Sequence, residues 1–331
     1  MQLAEGISVV IPNYNGRELL PLILPAAFGA LRQAGEAYEI IVADDASTDG
    51  SVQWLSEAYP HVSVIASQHN RGFSATANMG IRAASHRWVL LLNSDVILTS
   101  DYFVQLLAYR DYPNLLGVTG RMIGWEDDEI QEGGKYPVMQ GAKIKTAYDF
   151  IPLRSSDSDR WPCFYLSGAN AFINKENFDK IGQFNELFSP FYAEDAELSL
   201  RAWRLGYASY YEHRAICRHR RSATILSVRK KIAVNRVYNR NKFFLHAIHL
   251  QRFALISWTL QLLLELLFRI LTLRPGIILS FIDFIKKIPA VRQSRRSLRN
   301  LQPGKKLAAV QDVFLQIVSQ LPADKITIFK R

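Results

Sequence analysis

The chain is expected to be an α/β protein on a doubly wound, mostly parallel sheet, followed by a basic and apolar helical extension. Short runs of β-branched and leucine residues alternate with helical patterns of roughly 10–15 residues, the signature of βαβ units. Each run ends in a polar turn. The charge is divided unevenly: residues 1–213 hold 16 Lys/Arg and 26 Asp/Glu, whereas residues 214–306 hold 21 Lys/Arg with only Glu265 and Asp283 against them. A net of −10 beside a net of +19 points to nucleic acid or an anionic membrane surface as partner of the basic part.

The elements follow in order. Ile7–Pro12 is a strand stopped by Pro12-Asn-Tyr-Asn-Gly16, and a helix is expected over Leu19–Leu31, its start blurred by Pro21 and Pro25. Tyr38–Ala43 is a second strand ending at Asp44-Asp45, with Ser47 or Thr48 expected to cap a helix over Ser51–Tyr59. Val62–Ala66 is a third strand, followed by Asn70-Arg71-Gly72-Phe73 and a helix over Ser74–Ser85. Trp88–Leu92 reads as a central strand, apolar on both faces, and stops at Asn93-Ser94-Asp95.

Strands that share a direction bring Asn13, Asp44/Asp45, Arg71 and Asp95 to one rim, where open α/β sheets bind ligands. No Gly-x-Gly-x-x-Gly fingerprint and no Walker loop follows the first strand. A nucleotide site here would be organised by acidic groups and a divalent cation.

In the second half, a helix is expected over Thr99–Tyr109 with Ser100 as its cap. Residues 117–160 carry loop signals (Gly133-Gly134, Tyr136-Pro137, Ser155 to Asp159) and read as a substrate-specific insertion. Leu166–Ile173 is strand-like, with Gly168 small enough for close approach of a ligand. Glu194-Asp195 precedes a helix over Ala196–Leu205; taken alone, these are acids placed favourably on a helix dipole.

The motifs Val10-Ile-Pro-Asn-Tyr-Asn-Gly16, Asp44-Asp-Ala-Ser-Thr-Asp-Gly-Ser51, Asn70-Arg-Gly-Phe-Ser-Ala-Thr-Ala-Asn-Met-Gly80 and Leu90-Leu-Leu-Asn-Ser-Asp95 resemble, in order, those of family 2 inverting glycosyltransferases with the GT-A fold. The resemblance covers roughly residues 6–222 and is to the rhamnosyltransferase-like, bacterial surface-glycan type. It implies a donor nucleotide-binding half (1–98) and an acceptor half (99–222); residues 223–331 lie beyond it and read, from their charge and apolar runs, as a membrane-association or dimerisation extension. It implies that Asp45 bonds the base, that Pro12 and Tyr14 line the base pocket and that Arg71 lies near the diphosphate. Asn93-Ser94-Asp95 stands where the family carries Asp-x-Asp, so its first carboxylate is missing and metal binding falls on Asp95. His219 matches a further metal ligand, followed by Ser222; Asp195 matches the general base; Glu194 and Gly168 fall on the acceptor side. A nucleotide-diphosphate sugar with Mn²⁺ or Mg²⁺ is the implied chemistry. Gln183 replaces a frequent glycine, and no Gln-x-x-Arg-Trp follows Asp195, which favours non-processive transfer.

Residues 223–252 read as a basic helix, and Phe253–Leu273 as an apolar run of 21 residues. At 1.5 Å per residue it is about 31 Å long, enough to cross a bilayer core of roughly 30 Å. Gln261, Glu265, Arg269 and Thr272 fall on one face, with Glu265 and Arg269 spaced to pair, which argues for lying in the interface. Pro275-Gly276 ends that helix, and a second apolar segment over Ile277–Ile288 with Lys/Arg flanks completes an in-plane hairpin that would grip anionic lipid through residues 223–300. An amphipathic helix is expected over Leu307–Gln320, with the final residues unassigned.

Cys163 and Cys217 offer neither a disulfide framework nor metal spacing, and Met1–Gly6 lacks a basic leader, so the expectation is a peripheral protein on the cytoplasmic face of the inner or plasma membrane. Its expected acceptor is a saccharide, lipid-linked by preference; a homodimer is possible and nucleic acid is not expected. The competing readings are a nucleotidyltransferase on a similar sheet and a non-catalytic nucleic-acid or membrane binder using the basic tail.

Overall fold

A computed structural model describes residues 3–330 apart from 157, 221–227, 273–275, 303 and 305. Ser222 lies outside the described residues.

The first half is four parallel strands in the spatial order β3-β2-β1-β4, made by β1 (Ala4–Asn13), β2 (Tyr38–Asp44), β3 (Ser63–Ala66) and β4 (His86–Leu92). Helices α1 (Leu20–Ala34), α2 (Ser51–Ala58) and α3 (Phe73–Ala83) connect them. The strands are apolar on both faces because each face meets a different core. Val9, Val42, Leu90 and Leu92 join α1 residues on one side, while Val10, Ile41, Val89 and Leu91 join Ala77 and Ile81 of α3 on the other. That is the doubly wound arrangement. Burial of each such side chain contributes about 1.5–3 kcal/mol.

The chain continues through β5 (Val96–Leu98), α4 (Tyr102–Leu107) and β6 (Leu115–Gly124). Then come β7 (Ile130–Glu132), β8 (Gly134–Lys135), β9 (Val138–Gln140), β10 (Lys143–Lys145), β11 (Tyr148–Pro152) and β12 (Trp161–Pro162). After β13 (Asn170–Asn174), α5 (Lys175–Lys180), α6 (Glu194–Arg204) and β14 (Ala208–His219) complete the large sheet, in the order β12-β14-β6-β13-β4-β1-β2-β3. β13 runs antiparallel to both β4 and β6, and β6 and β14 are again parallel to each other. The sheet is therefore mixed, mostly parallel, with β13 reversed at its middle and the short β5, β7 and β12 antiparallel to their neighbours.

Several expected boundaries move. Residues 117–160 are not chiefly loop: β6 is a core strand, and β7 to β11 fold as strands beside it. Its glycines hide it in the sequence. Gly120 is needed there because an added Cβ would meet Ala215 O and the Tyr102 ring. The caps also differ. Ser47 is engaged by Asp44, so α2 begins after Gly50 and Asp49 accepts from Ser51 N instead; α4 begins after Asp101, without Ser100 as its cap. The strand expected over 166–173 starts only at Asn170, and α6 begins at Glu194 itself.

The extension comprises α7 (Val228–His249), α8 (Arg252–Leu271), α9 (Gly276–Lys286), α10 (Ile288–Asn300), α11 (Val310–Val318) and β15 (Ile326–Lys330). It is not wholly helical: β15 pairs with β11, so the last residues close a three-stranded sheet β15-β11-β8 within the insertion. The polar stripe of α8 faces the β9–β10 hairpin. Gln261 accepts from Ala142 N at 3.0 Å, and Glu265 forms an ion pair with Lys143 rather than with Arg269. Trp258, Leu262 and Leu266 are the buried residues of α8, while Phe253 and Leu271 remain 83% and 73% exposed.

Gly80 seats α3 on the sheet: a Cβ there would strike Val10 and lie 3.1 Å from Ala43 Cβ. Overpacking of this kind costs about 1–3 kcal/mol. Gly80→Val should lower the melting temperature by several degrees, measured by circular dichroism.

Candidate active site

Because β1, β2, β4, β6 and β14 share a direction and β13 opposes them, the carboxyl ends of the five and the start of β13 lie on one rim. Sequence-distant polar residues meet there.

On the donor side, Pro12, Tyr14 and Asp45 line a cavity of about 280 Å³ together with Asn70, Thr76 and Pro190. Asp45 is buried, and its two oxygens accept from Arg71 N at 2.8 Å and Gly72 N at 2.9 Å. It thus shapes the loop after β3, while each carboxylate oxygen retains a second lone pair. Asp44 holds the turn itself, accepting from Asn13 Nδ2 and from Ser47 N and Oγ. The Arg71 guanidinium pairs with Glu186 at 2.9 Å. Ser94 stands close to Gly16 in the loop after β1.

The pairing of β5 with β14 places His219 opposite Val96 and brings His219 Nε2 to 3.4 Å from Asp95 Oδ2. Gln131 Oε1 accepts from His219 Nδ1 at 2.7 Å. This fixes the tautomer, leaving the Nε2 lone pair turned to the carboxylate. Two acceptors face each other, an arrangement that a cation between them would satisfy. Asp95 Oδ1 is also buried, without a hydrogen-bond partner among the described residues. These donor types fit a hard divalent cation. Among the described residues no set of three His, Cys, Asp or Glu converges. His213 has a structural role: Arg121 and Tyr211 flank its ring nitrogens, and burial with the Arg121 charge pushes it down to about 4.

Asp195 and Glu194 open α6 at the wall of a second cavity, about 460 Å³, shared with Asn93, Gly168, Tyr192 and Tyr238. Phe73 and Phe191 line both cavities, so the two adjoin. Asp195 Oδ1 accepts from Ala196 N at 2.7 Å, and Oδ2 lies 3.5 Å from Gly168 N. The turn ahead of α6 is strained, with Tyr192 and Ala193 at φ 75 and 67. Asn241 of α7 holds it, its amide donating to the carbonyls of Phe188, Phe191 and Tyr192. Glu194 is only 7% exposed; burial and the adjacent Asp195 raise its pKa to about 8. Glu197, one turn on, behaves oppositely. Burial would raise it, but Arg201 and His249 hold it down to about 2 and tie α6 to α7.

Gln131, Asn241 and Tyr238 escaped the sequence reading. They come from the insertion and the extension, and no local pattern marks them.

A family model for glycosyl transferase family 2 matches residues 8–182. The low-salt glycan biosynthesis hexosyltransferase of Haloferax volcanii is 25% identical over 206 residues, 61% of this chain and 63% of that protein. The undecaprenyl-phosphate 4-deoxy-4-formamido-L-arabinose transferase of Photorhabdus laumondii is 38% identical over 103 residues, 30% of each chain. The chain thus spans less than two thirds of the length of these relatives. The structure of GalNAc-T7 with UDP, GalNAc and Mn²⁺ aligns with a TM-score of 0.65 at 12% identity, covering 97% of this chain and 57% of that one. The mannosyltransferase of Pyrobaculum calidifontis with GDP-Man and Mn²⁺ aligns at 0.51 and 14% identity, covering 97% and 82%. The fold is accordingly GT-A.

The raised pKa of Glu194 has a consequence for stability. Between the ordinary glutamate value and about 8, the unfolded chain has released this proton while the folded chain keeps it, so stability falls as pH rises through that window. Glu194→Gln removes the titration. Its melting temperature, relative to the parent without ligands, should rise steadily between about pH 5 and pH 8.

Proposed function

This chain belongs to glycosyl transferase family 2, and on that premise we propose that it is an inverting, metal-dependent, non-processive glycosyltransferase. It moves a hexosyl or deoxyhexosyl group from a nucleotide-diphosphate sugar to a hydroxyl of a lipid-linked saccharide in surface-glycan synthesis. The observation that carries this reading is the cavity wall formed by Asp195, adjoining a donor cavity and sharing Asn93 with the strand end that bears Asp95.

Pro12 and Tyr14 flank the base, Asp45 offers it an acceptor, and Arg71 lies on the same rim near the diphosphate. Asp95 and His219 would hold Mn²⁺ or Mg²⁺, which when bound offsets the charge developing on the departing diphosphate. Asn93 and Ser94 complete that edge. Asp195 takes the proton of the acceptor hydroxyl as its oxygen attacks the anomeric carbon. The bond from that carbon to the diphosphate oxygen breaks on the opposite face, so the configuration inverts in one displacement. Glu194, kept protonated by burial, leaves Asp195 as the base and can donate a hydrogen bond to the acceptor, as Gly168 N can. The matches to glycosyltransferases lend no support to a nucleotidyltransferase or a nucleic-acid binder.

The extension supports attachment to the cytoplasmic face of a membrane. α8 is long and apolar enough to cross one, but its polar stripe is docked on the insertion hairpin while Phe253, Ile256, Leu264, Leu267, Phe268 and Leu271 stay exposed. Lys286 ends α9, and Lys287 and Arg292 follow it. An apolar face with basic flanks lies in the plane of anionic lipid. That the Photorhabdus laumondii relative is an undecaprenyl-phosphate transferase supports an acceptor carried on a lipid phosphate. A homodimer through α8 is the competing use of that face.

A thermal-shift panel of nucleoside diphosphates should reveal one that stabilises the chain only with Mn²⁺. Asp195→Asn should reduce transfer about a thousandfold and leave that shift intact. Asp95→Ala should abolish the shift, and Gln131→Leu should weaken Mn²⁺ affinity about 10–100-fold. Absence of any metal-dependent shift would reject the donor assignment.

In vesicle flotation the chain should bind phosphatidylglycerol membranes, and Phe253→Ser with Leu264→Ser and Leu271→Ser should release it. Unchanged flotation of that variant, or conversion of a dimer to a monomer, would reject interfacial attachment.

A further inference from the structure

Three elements meet where the catalytic cavity approaches the apolar face of α8. Tyr238 of α7 lines the cavity, and Lys242, one turn along the same helix, holds its Nζ 4.3 Å over the Tyr238 ring. Lys145 ends β10 immediately before Thr146 and Ala147, which also line the cavity. His246 joins the pieces: its Nε2 accepts from Ile144 N at 2.9 Å, and its ring stacks on Trp258 of α8 at 5.3 Å. β10, α7 and α8 are thereby fixed against one another.

The charge at this junction is one-sided. Lys145 faces Lys242, Lys143 and Lys330, with Glu265 the carboxylate near them, and Glu265 is paired with Lys143. Among the described residues neither Lys145 nor Lys242 has an ion-pair partner. The crowding has an electrostatic cost. Burial, Lys242 and Lys143 lower the pKa of Lys145, and burial with the same lysines helps hold His246 neutral, at about 3. Half-buried ammonium groups without an ion-pair partner, beside residues that line a cavity, are strong partners for an anion that arrives with the ligand.

We propose that Lys145 and Lys242 bind the phosphate group that links the acceptor saccharide to its lipid. The saccharide then reaches Asp195 through the cavity, while the hydrocarbon leaves along the exposed face of α8. This inference rests on the lipid-linked acceptor reading and assigns it a recognition site. It also orders the acceptor along one line: hydroxyl at Asp195, phosphate at the two lysines, chain on α8. The phospholipid headgroups of the membrane offer the same chemistry, so the test must separate the two sources.

The test uses the full chain in non-ionic detergent, with the donor site filled by Mn²⁺ and the nucleoside diphosphate that stabilises it, so that no diphosphate probe enters there. Farnesyl diphosphate, farnesol and dihexanoyl phosphatidylglycerol are titrated by calorimetry. Farnesyl diphosphate should bind at least about tenfold more tightly than either of the others, as loss of one charged hydrogen bond would give. Lys145→Gln with Lys242→Gln should remove that preference without changing farnesol binding or the nucleotide shift, and Lys145→Arg with Lys242→Arg should keep it. Equal affinity for farnesol and farnesyl diphosphate, equal affinity for the phosphatidylglycerol, or a preference that survives in the glutamine variant would each overturn the proposal. The donor reading fails separately, through the nucleotide shift.

Discussion

The site depends on one strand pairing. β5 is only three residues long, yet its antiparallel register with the end of β14 sets His219 beside Asp95 across more than a hundred residues of chain. The pairing is possible because β13 reverses direction, which lets β6 and β14 run parallel to β4 and finish on the same rim. Gln131 then decides which imidazole nitrogen faces the carboxylate. Remove the register and the two side chains separate; remove Gln131 and the ring is free to turn.

The second constraint is the strained turn ahead of α6. Two successive non-glycine residues with left-handed backbone persist only if the surroundings hold them. The clamp comes from Asn241, on a helix that begins beyond the matched family region. The Glu197–Arg201–His249 contacts fasten the same helix to α6. Packing makes α7 of the extension part of the cavity wall and couples it to the helix that carries Glu194 and Asp195. The adjacent Glu194 and Asp195 share that cavity wall but differ by environment: Glu194 is buried, with its pKa raised to about 8, while Asp195 is only partly buried and accepts from Ala196 N.

Much of this was legible in the chain itself. Apolar runs ending in Asn13, Asp44/Asp45 and Asn93-Ser94-Asp95 announce parallel strands with a polar rim, because hydrophobic period and turn chemistry are local properties. Asp195 and His219 were singled out only by resemblance to the family's motifs. β6 was not legible, since residues 117–160 read as one insertion from the loop signals further along, and only the packed chain shows why Gly120 sits in a core strand.

What only tertiary structure decided is which side chains arrive from elsewhere. Gln131, Asn241, Lys145 and Lys242 carry no periodic or motif signal, because their roles arise from strand register and helix docking between distant segments. The polar stripe of α8 shows the division well. The amino-acid order alone placed Gln261 and Glu265 on one face, but only the packed chain shows that this face meets Ala142 and Lys143 and leaves the apolar side open. Periodicity is written along the chain, whereas partners are set by the fold.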